Sequence, residues 1–166
     1  MDAQQLKDLQ APLKAAYREE PQKALITLRA EGRLGENVSC SVATGRALVE
    51  AGLHPATGGS GLQACSGDML LQALVACAGV TLNAVATALS LPLGGAVIKA
   101  EGDLDFRGTL GVDKEAPVGF RDIRLSFDLE GELTEEQKAQ LRKLTERYCV
   151  VYQTLRTPPQ FAVAFR

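Results

Sequence analysis

Apolar and polar residues alternate in several stretches of this chain, which is the pattern of a half-buried β-strand. The alternation is clearest after residue 96, where Ile98, Ala100, Leu104 and Phe106 would share one face. In a later stretch Phe120 is out of phase with the residues that follow it, which predicts a bulge near the start of that strand. The predicted strands cover residues 23–34, 38–45, 97–108, 120–131 and 161–165.

Apolar residues spaced by three and four positions predict three helices. The first helix is mildly amphipathic, and the last opens with a capping box formed by Thr134 and Gln137. The middle helix starts near Ser66, which we predict as its N-cap, and has Asp68 in its first turn. The predicted helices cover residues 2–19, 66–90 and 134–148.

The middle helix has no charged residue between Asp68 and Lys99. A helix that is apolar all round is typical of the buried centre of a larger assembly, although a segment of this length is also able to cross a bilayer. Polar residues within it, such as Gln72 and Asn83, favour the soluble alternative. Because one small sheet cannot cover such a helix, we expect it to pack on a second copy of the chain in a symmetric homodimer.

Hairpins that are joined to segregated helices predict the α+β class with a largely antiparallel sheet. The length of 166 residues fits one domain. A formal net charge of −2 provides no basic face for nucleic acid. The first ten residues lack the cationic and apolar regions of a signal peptide, so we expect a cytoplasmic protein.

The four cysteines are the main candidates for chemistry. They are too few for a disulfide scaffold in a chain of this length, so we expect reduced thiols. With one histidine and no C-x-x-C motif, we expect no metal site. The histidine, His54, lies in a glycine-rich loop and is expected to be exposed.

Local sequence gives the thiols different environments. Cys77 shares an apolar stripe with Leu70 and Leu74, which favours a core residue with a raised pKa and little reactivity. Cys65 lies just before the middle helix, where the helix dipole favours a thiolate. Cys149 follows the last helix and fits a buried cap residue. Pattern alone leaves these alternatives open.

Two segments resemble the OsmC/Ohr family of thiol-dependent hydroperoxide reductases. The first is "SGDMLLQALVAC", which ends at Cys77, and the second is "ERYCVVYQTL", which contains Cys149. The order of an N-terminal hairpin, a cysteine-bearing helix, two strands and a second cysteine is also similar. The resemblance implies an OsmC-like domain over residues 24–166, preceded by a helical extension over residues 1–23.

The resemblance further implies an OsmC-like α+β fold, in which antiparallel sheets wrap around long central helices in an intertwined homodimer. It implies that Cys77 attacks the peroxide, that Cys149 resolves the product as a disulfide, and that an external dithiol or lipoylated protein reduces this disulfide. An arginine held by a carboxylate lowers the thiol pKa in such proteins, and Arg33 and Asp68 are the candidates here. The resemblance implies no metal and no bound organic cofactor.

Two positions depart from the family pattern. Asp68 stands where a glutamate is usual, and Val150 follows Cys149 where a proline is frequent. These differences fit the general OsmC-like branch. The expected function is a peroxidase that reduces organic hydroperoxides or related oxidants. The alternative is a protein without catalytic activity that binds a small hydrophobic ligand in an apolar pocket at the dimer interface, or that serves in a stress response.

Overall fold

The chain forms two compact units in the computed structural model, which describes residues 2–5, 7, 8, 10, 11, 19, 32–34, 39–43, 48–111 and 113–165. The first unit comprises Met1–Glu19, Ala73–Lys99 and Ser126–Arg166, and the second comprises Glu20–Gln72 and Ala100–Leu125. The predicted boundary between a helical extension and a main domain, at residues 23 and 24, lies outside the described residues. The described part of the N-terminal segment is helical at residues 3–5, 7, 8, 10, 11 and 19, as predicted.

The N-terminal hairpin belongs to a three-stranded antiparallel sheet in the second unit, with the strand order β1–β2–β3. The strands are β1 at Gly32–Leu34, β2 at Ser39–Ala43 and β3 at Leu48–Gly52. The pairing of β1 with β2 confirms the predicted hairpin over its described part, and residues 23–31 of the first predicted strand lie outside that part. The sequence does not predict β3, because this strand is short and ends in Ala51 and Gly52, which are poor strand formers.

Two long strands form a second sheet, as predicted. The strands are β4 at Gly95–Leu104 and β5 at Phe120–Glu130. Lys99 of β4 pairs with Asp128 of β5 at 2.6 Å (Nζ to Oδ2), and Asp103 of β4 pairs with Arg124 of β5, so the strands run antiparallel. Two consecutive exposed residues follow Phe120, which agrees with the predicted change of phase.

β4 ends at Leu104, which is earlier than predicted. The Asp105 carboxylate accepts a hydrogen bond from the Arg107 N–H (3.1 Å) and caps a short helix, α2, at Phe106–Thr109. Phe106 therefore lies in a helix and not at an inward strand position. The prediction is wrong because the alternation of residue types continues past the aspartate cap that turns the backbone.

Three further helices follow the predicted order, with one addition. They are α1 at Ser66–Ala88, α3 at Glu135–Tyr148 and α4 at Val150–Arg156. The capping box of α3 is confirmed: the Thr134 hydroxyl accepts from the Gln137 N–H (3.2 Å), and the Gln137 side chain accepts from the Thr134 N–H (2.9 Å). α1 already includes Ser66, so Cys65 occupies the preceding cap position in place of the predicted Ser66. The sequence does not predict α4, which begins after a single intervening residue.

The core of the first unit is an apolar cluster formed by α1, α3 and the chain that leads into α3. Leu82, Val85 and Ala86 of α1 pack with Leu141 of α3 and with Leu133. Leu82 is 3% exposed and Leu141 is 1% exposed. Full burial of one leucine contributes about 1.5–3 kcal/mol, so this cluster holds α1 against α3.

α1 also has the length and composition of a membrane-spanning helix. The most apolar window of this helix has a mean hydropathy of 1.8, and 28% of the window is buried in the isolated chain. The core helix of a soluble protein passes the same test. The hydropathy of this one helix is therefore weak evidence for a membrane span.

The predicted strand at residues 161–165 is wrong for the isolated chain. Residues 158–165 contain neither helix nor strand, and Phe161 and Phe165 are 83% and 99% exposed. The alternation of large and small apolar residues is present in the sequence. A strand also needs a neighbouring edge with which to form hydrogen bonds, and none of the described strands pairs with this segment.

Gly131, which follows β5, is expected to tolerate no side chain. Its φ is +119°, and a Cβ atom would lie 2.4 Å from the carbonyl oxygen of Pro92. We expect Gly131→Ala to lower the free energy of unfolding by at least about 2 kcal/mol in urea denaturation. The control is Gly119→Ala, because a Cβ there meets no heavy atom within 4 Å. Equal stability of the two variants would contradict the strained turn.

Candidate functional site

Two thiols lie side by side in the first unit. Cys77 is in the middle of α1, and Cys149 is the single residue between α3 and α4. The Cys149 thiol forms a hydrogen bond with the Cys77 sulfur, and neither residue is in a disulfide. The structure thus brings together the two cysteines that the resemblance singles out.

The backbone at Cys149 sets this arrangement. Its N–H donates to the carbonyl oxygen of Thr145 (3.0 Å), which completes the last turn of α3. An extended conformation at Cys149, with φ −73° and ψ 108°, then starts α4. Because no side chain caps α4, its first backbone N–H groups have no partner within the helix and are available to other acceptors. The two sulfurs are such acceptors.

The pKa of the Cys77 thiol lies below its ordinary value. Partial burial raises this pKa, but hydrogen bonds that stabilise the thiolate outweigh the effect of burial. The donors are the N–H groups of Val151 and Val150, the thiol of Cys149 and the hydroxyl of Thr81. Near neutral pH, Cys77 is therefore a thiolate in a larger fraction of molecules than a cysteine with an ordinary pKa would be. The thiolate is the nucleophilic form.

The pKa of Cys149 is shifted in the opposite direction. Burial of this residue, which is 1% exposed, raises the pKa, and the neighbouring Cys77 raises it further. The N–H groups of Tyr152 and Val151 oppose these effects without reversing them. Cys77 therefore loses its proton at a lower pH than Cys149 does.

The expectation of a core thiol with a raised pKa at Cys77 is wrong. Cys77 is only partly buried, although Leu74 in the same stripe is 2% exposed. Sequence pattern missed the donors of α4 because they lie far along the chain from α1. The one local signal is Thr81, one helical turn after Cys77, whose single hydroxyl proton is shared between the Cys77 sulfur and the Cys77 carbonyl oxygen (2.7 Å).

Arg33 and Asp68 are the residues predicted to lower the thiol pKa, and the structure gives the backbone position of each. Arg33 lies in β1 opposite Ser41 of β2, and its side chain lies outside the described residues. Asp68 is exposed in the first turn of α1. It precedes Cys77 by a stretch of helix about 13.5 Å long, at 1.5 Å per residue. The roles of Arg33 and Asp68 at the thiol pair stay predictions.

Cys65 and His54, which the sequence analysis also considered, lie in the second unit. Cys65 is a partly buried free thiol at the start of α1. His54 is partly buried, so the expectation of an exposed histidine is wrong. Its Nδ1 accepts from the Ala56 N–H (3.0 Å) and caps a 3-10 turn at Pro55–Thr57, while its ring stacks on Phe106 at 4.9 Å. These contacts give His54 a structural role in the turn.

An apolar groove of about 500 Å³ adjoins the thiol pair in the first unit. Thr81, which contacts the Cys77 sulfur, and Tyr148, which directly precedes Cys149, both line it. Its other lining residues are Val80, Ala84, Val85 and Ala88 of α1 and Gln10 of the N-terminal segment. The volume falls within the range of small-molecule sites.

A cavity of about 560 Å³ in the second unit is lined mainly by charged residues. Arg107 binds Asp105 at 2.6 Å and Asp113 at 3.3 Å, and Arg121 lies 3.9 Å from Asp105. The hydrogen bond from Arg107 lowers the pKa of Asp105 to about 2. Ion pairs connect four of the five charged residues, and the described residues that line the cavity include no thiol, hydroxyl or imidazole. Among the described residues, no group of three or more histidine, cysteine, aspartate or glutamate side chains could hold a metal ion.

A protein-family model, described as OsmC-like protein, matches residues 59–164. This range includes both thiols of the pair and α1, and it excludes Arg33. No curated protein sequence matches the chain.

Solved structures with a similar fold cover most of this chain. An OsmC like protein from Mycoplasma pneumoniae has a TM-score of 0.66 at 18% identity, over 80% of this chain and 89% of that one. An organic hydroperoxide resistance protein OsmC from Legionella pneumophila has a TM-score of 0.63 at 18% identity, over 80% and 91% of the two chains. An organic hydroperoxide resistance protein from Elizabethkingia anophelis, with thiocyanate bound, has a TM-score of 0.58 at 17% identity, over 81% and 91%. At these identities the likeness shows the fold, which mixes helices with antiparallel sheet.

Val150→Pro tests whether backbone N–H groups activate Cys77. Proline removes the N–H donor at position 150, yet it suits the first position of a helix, and the extended backbone of Cys149 is compatible with a following proline. Loss of this donor is expected to raise the pKa of Cys77 and to slow its alkylation at pH 7 about tenfold, since one hydrogen bond to a charged group is worth about 1.5 kcal/mol. The rate is measured with iodoacetamide by mass spectrometry of the peptide that contains Cys77.

The matched control is Val150→Ala, which keeps the N–H and removes only the side chain. Its alkylation rate is expected to stay within about twofold of the wild type. Equal rates for the proline and alanine variants would contradict activation by this donor.

Proposed function

Because this chain belongs to the OsmC-like family, we propose that it is a cytoplasmic thiol-dependent peroxidase that reduces organic hydroperoxides or related oxidants. Cys77 attacks the oxidant and Cys149 resolves the product. The observation that carries the proposal is the contact between a thiol with a lowered pKa and a thiol with a raised pKa. The organic hydroperoxide resistance proteins among the similar structures support the substrate class.

The first step oxidises Cys77. Its thiolate attacks the terminal oxygen of the hydroperoxide, so that an S–O bond forms as the O–O bond breaks. The organic fragment leaves as an alkoxide, takes up a proton and departs as an alcohol. Cys77 is left as a sulfenic acid. The N–H groups of Val150 and Val151 favour the thiolate form of the attacking sulfur.

The second step uses Cys149, which contacts Cys77 and needs no large movement to reach it. The Cys149 sulfur attacks the sulfenic sulfur, a disulfide forms, and the hydroxyl group leaves as water with the proton from Cys149. An external dithiol or a lipoylated protein then reduces the disulfide by thiol exchange, and both cysteines return to the thiol state.

The apolar groove provides a place for the organic part of the substrate. Between Thr81 and Ala88 it follows α1 for about 10 Å, at 1.5 Å per residue. Its small aliphatic side chains match an alkyl or aryl group, and its contact with Thr81 keeps that group beside Cys77. An organic hydroperoxide bound in this way presents its peroxide to the thiolate.

A homodimer accounts for the apolar surface near the site. α1 exposes one row of mostly small residues, Ala73, Ala76, Val80 and Asn83, and Val80 is 73% exposed. Val150, beside the thiol pair, is 69% exposed. Contiguous apolar surface of this kind marks interaction sites. We propose that a second copy of the chain covers it, so that the groove lies at the interface of the dimer.

The groove also favours one alternative function. A protein without catalytic activity would use the same apolar surface to bind a small hydrophobic ligand, with the cysteines as part of the lining. In that case Cys77→Ser would leave ligand binding intact. Under the peroxidase proposal the same change abolishes activity.

Intact-mass analysis after one equivalent of cumene hydroperoxide tests the proposed function. The reduced wild type is expected to lose two hydrogens through a disulfide between Cys77 and Cys149. Cys149→Ser is expected to gain one oxygen and stop at the sulfenic acid, and Cys77→Ser is expected to stay unchanged. An unchanged wild type, with hydrogen peroxide also inert, would refute the peroxidase and leave ligand binding.

Ala76→Glu tests the homodimer. Ala76 lies in the exposed row of α1, where a carboxylate would face the same row of the partner and would lose its hydration on burial. We expect the wild type to elute as a dimer and this variant as a monomer in size-exclusion chromatography with light scattering. The control is Ala139→Glu at an exposed position of α3, which is expected to remain dimeric. A monomeric wild type would overturn the dimer.

A further inference from the structure

Thr145 has a buried hydroxyl group that the reaction described above does not use. The residue is 2% exposed, and its Oγ1 has no hydrogen-bond partner among the residues that the structure describes. Buried hydroxyl groups in proteins are normally hydrogen-bonded, because an unsatisfied one loses its hydration without compensation. A valine would fill almost the same space without this cost. The hydroxyl therefore calls for an explanation.

Thr145 stands one helical turn before Cys149. The Cys149 N–H donates to the Thr145 carbonyl oxygen at 3.0 Å, so the helical spacing continues up to the cysteine. Side chains four residues apart share one face of a helix, with Cβ atoms about 5–6 Å apart. Both side chains are buried, at 2% and 1% exposure. Since a helical threonine populates two χ1 rotamers, its hydroxyl is able to turn towards the next residue on that face.

A hydrogen-bond donor near the Cys149 sulfur would assist the resolving step. Cys149 is buried, and its sulfur develops negative charge as it gives up its proton. The described donors to this sulfur are the backbone N–H groups of Tyr152 and Val151. The N–H of Val151 also donates to Cys77. A side-chain hydroxyl close to Cys149 would supply a donor that is not shared with the first thiol.

We propose that Thr145 is a positioning residue for the resolving step, in which its hydroxyl donates a hydrogen bond to the Cys149 sulfur as that sulfur attacks Cys77. The inference rests on the proposed roles of the two cysteines. The Thr145 hydroxyl keeps its own proton throughout. The Cys149 proton leaves with the group that is displaced from Cys77, and one S–S bond forms as the bond from Cys77 to that group breaks.

The test isolates the resolving step from peroxide chemistry. The chain has two further cysteines, Cys40 in β2 and Cys65, and both are replaced by serine in the full-length protein. This protein is treated with dithiobis(nitrobenzoate), which places a thionitrobenzoate group on Cys77. The reaction at Cys77 releases one coloured thionitrobenzoate, and attack by Cys149 releases a second. The rate of the second release is compared among the parent protein, Thr145→Val and Thr145→Ser. Thermal unfolding and the pH profile of the release are measured for each protein.

We expect Thr145→Val to slow the second release about tenfold, because loss of one hydrogen bond to a charged group lowers a rate by about that factor. The pH profile of the release is expected to shift to higher pH. Thr145→Ser is expected to stay within about twofold of the parent, and the first reaction at Cys77 is expected to be equal in all three. Thr145→Val is also expected to unfold at the same or a higher temperature. Equal release rates for the valine variant and the parent would overturn the proposal.

Two other results would also count against Thr145. Equal slowing by valine and serine would point to packing instead of the hydroxyl. A large loss of thermal stability in Thr145→Val would show that the hydroxyl is already bonded in the dithiol state. Because no peroxide is used, failure of the peroxidase proposal appears separately, as a wild type that releases thionitrobenzoate normally and does not react with cumene hydroperoxide.

Discussion

The packing of α1 on α3 is the contact on which the thiol pair depends. Leu82 of α1 packs with Leu141 of α3, and Cys77 of α1 contacts Cys149 at the end of α3. Loss of a buried leucine in such a cluster costs about 2–5 kcal/mol. The apolar core thus fixes the register that brings two cysteines from distant parts of the chain within reach of each other.

The junction between α3 and α4 at Cys149 supplies the hydrogen-bond donors of the thiol pair. One extended residue separates two helices, and the second helix has no side-chain cap. Its first N–H groups therefore donate to sulfur and lower the pKa of Cys77, and no cation is among the described groups that shift this pKa. The family resemblance assigns the same task to an arginine, for which Arg33 is the candidate. In this chain, Val150 supplies an N–H that a proline at that position would lack.

The unusual composition of α1 is explained by three faces with different neighbours. One face, with Leu74, Ala78 and Leu82, is buried in the isolated chain. A second face carries Cys77 and Thr81 and leads into the apolar groove. The third is the exposed row of Ala73, Ala76, Val80 and Asn83, in which Val80 also lines the groove. With one face in the core, one at the groove and one available to another chain, α1 carries no charged residue after Asp68 in its first turn.

The sequence by itself determined the elements whose signals are local. The capping box at Thr134, the alternation in β4 and β5 and the uncharged run of α1 each act through neighbouring residues, so pattern was enough to predict them. The motifs around Cys77 and Cys149 likewise identified the pair. Pattern failed where a distant partner or a cap decides the outcome: Phe106 follows an aspartate cap into a helix, and residues 161–165 alternate without an edge to join. The lowered pKa of Cys77 belongs to this second group. Its own stripe favours a core thiol with a raised pKa, and only the tertiary structure decides otherwise, because the N–H groups that stabilise its thiolate come from a helix that folding places beside it.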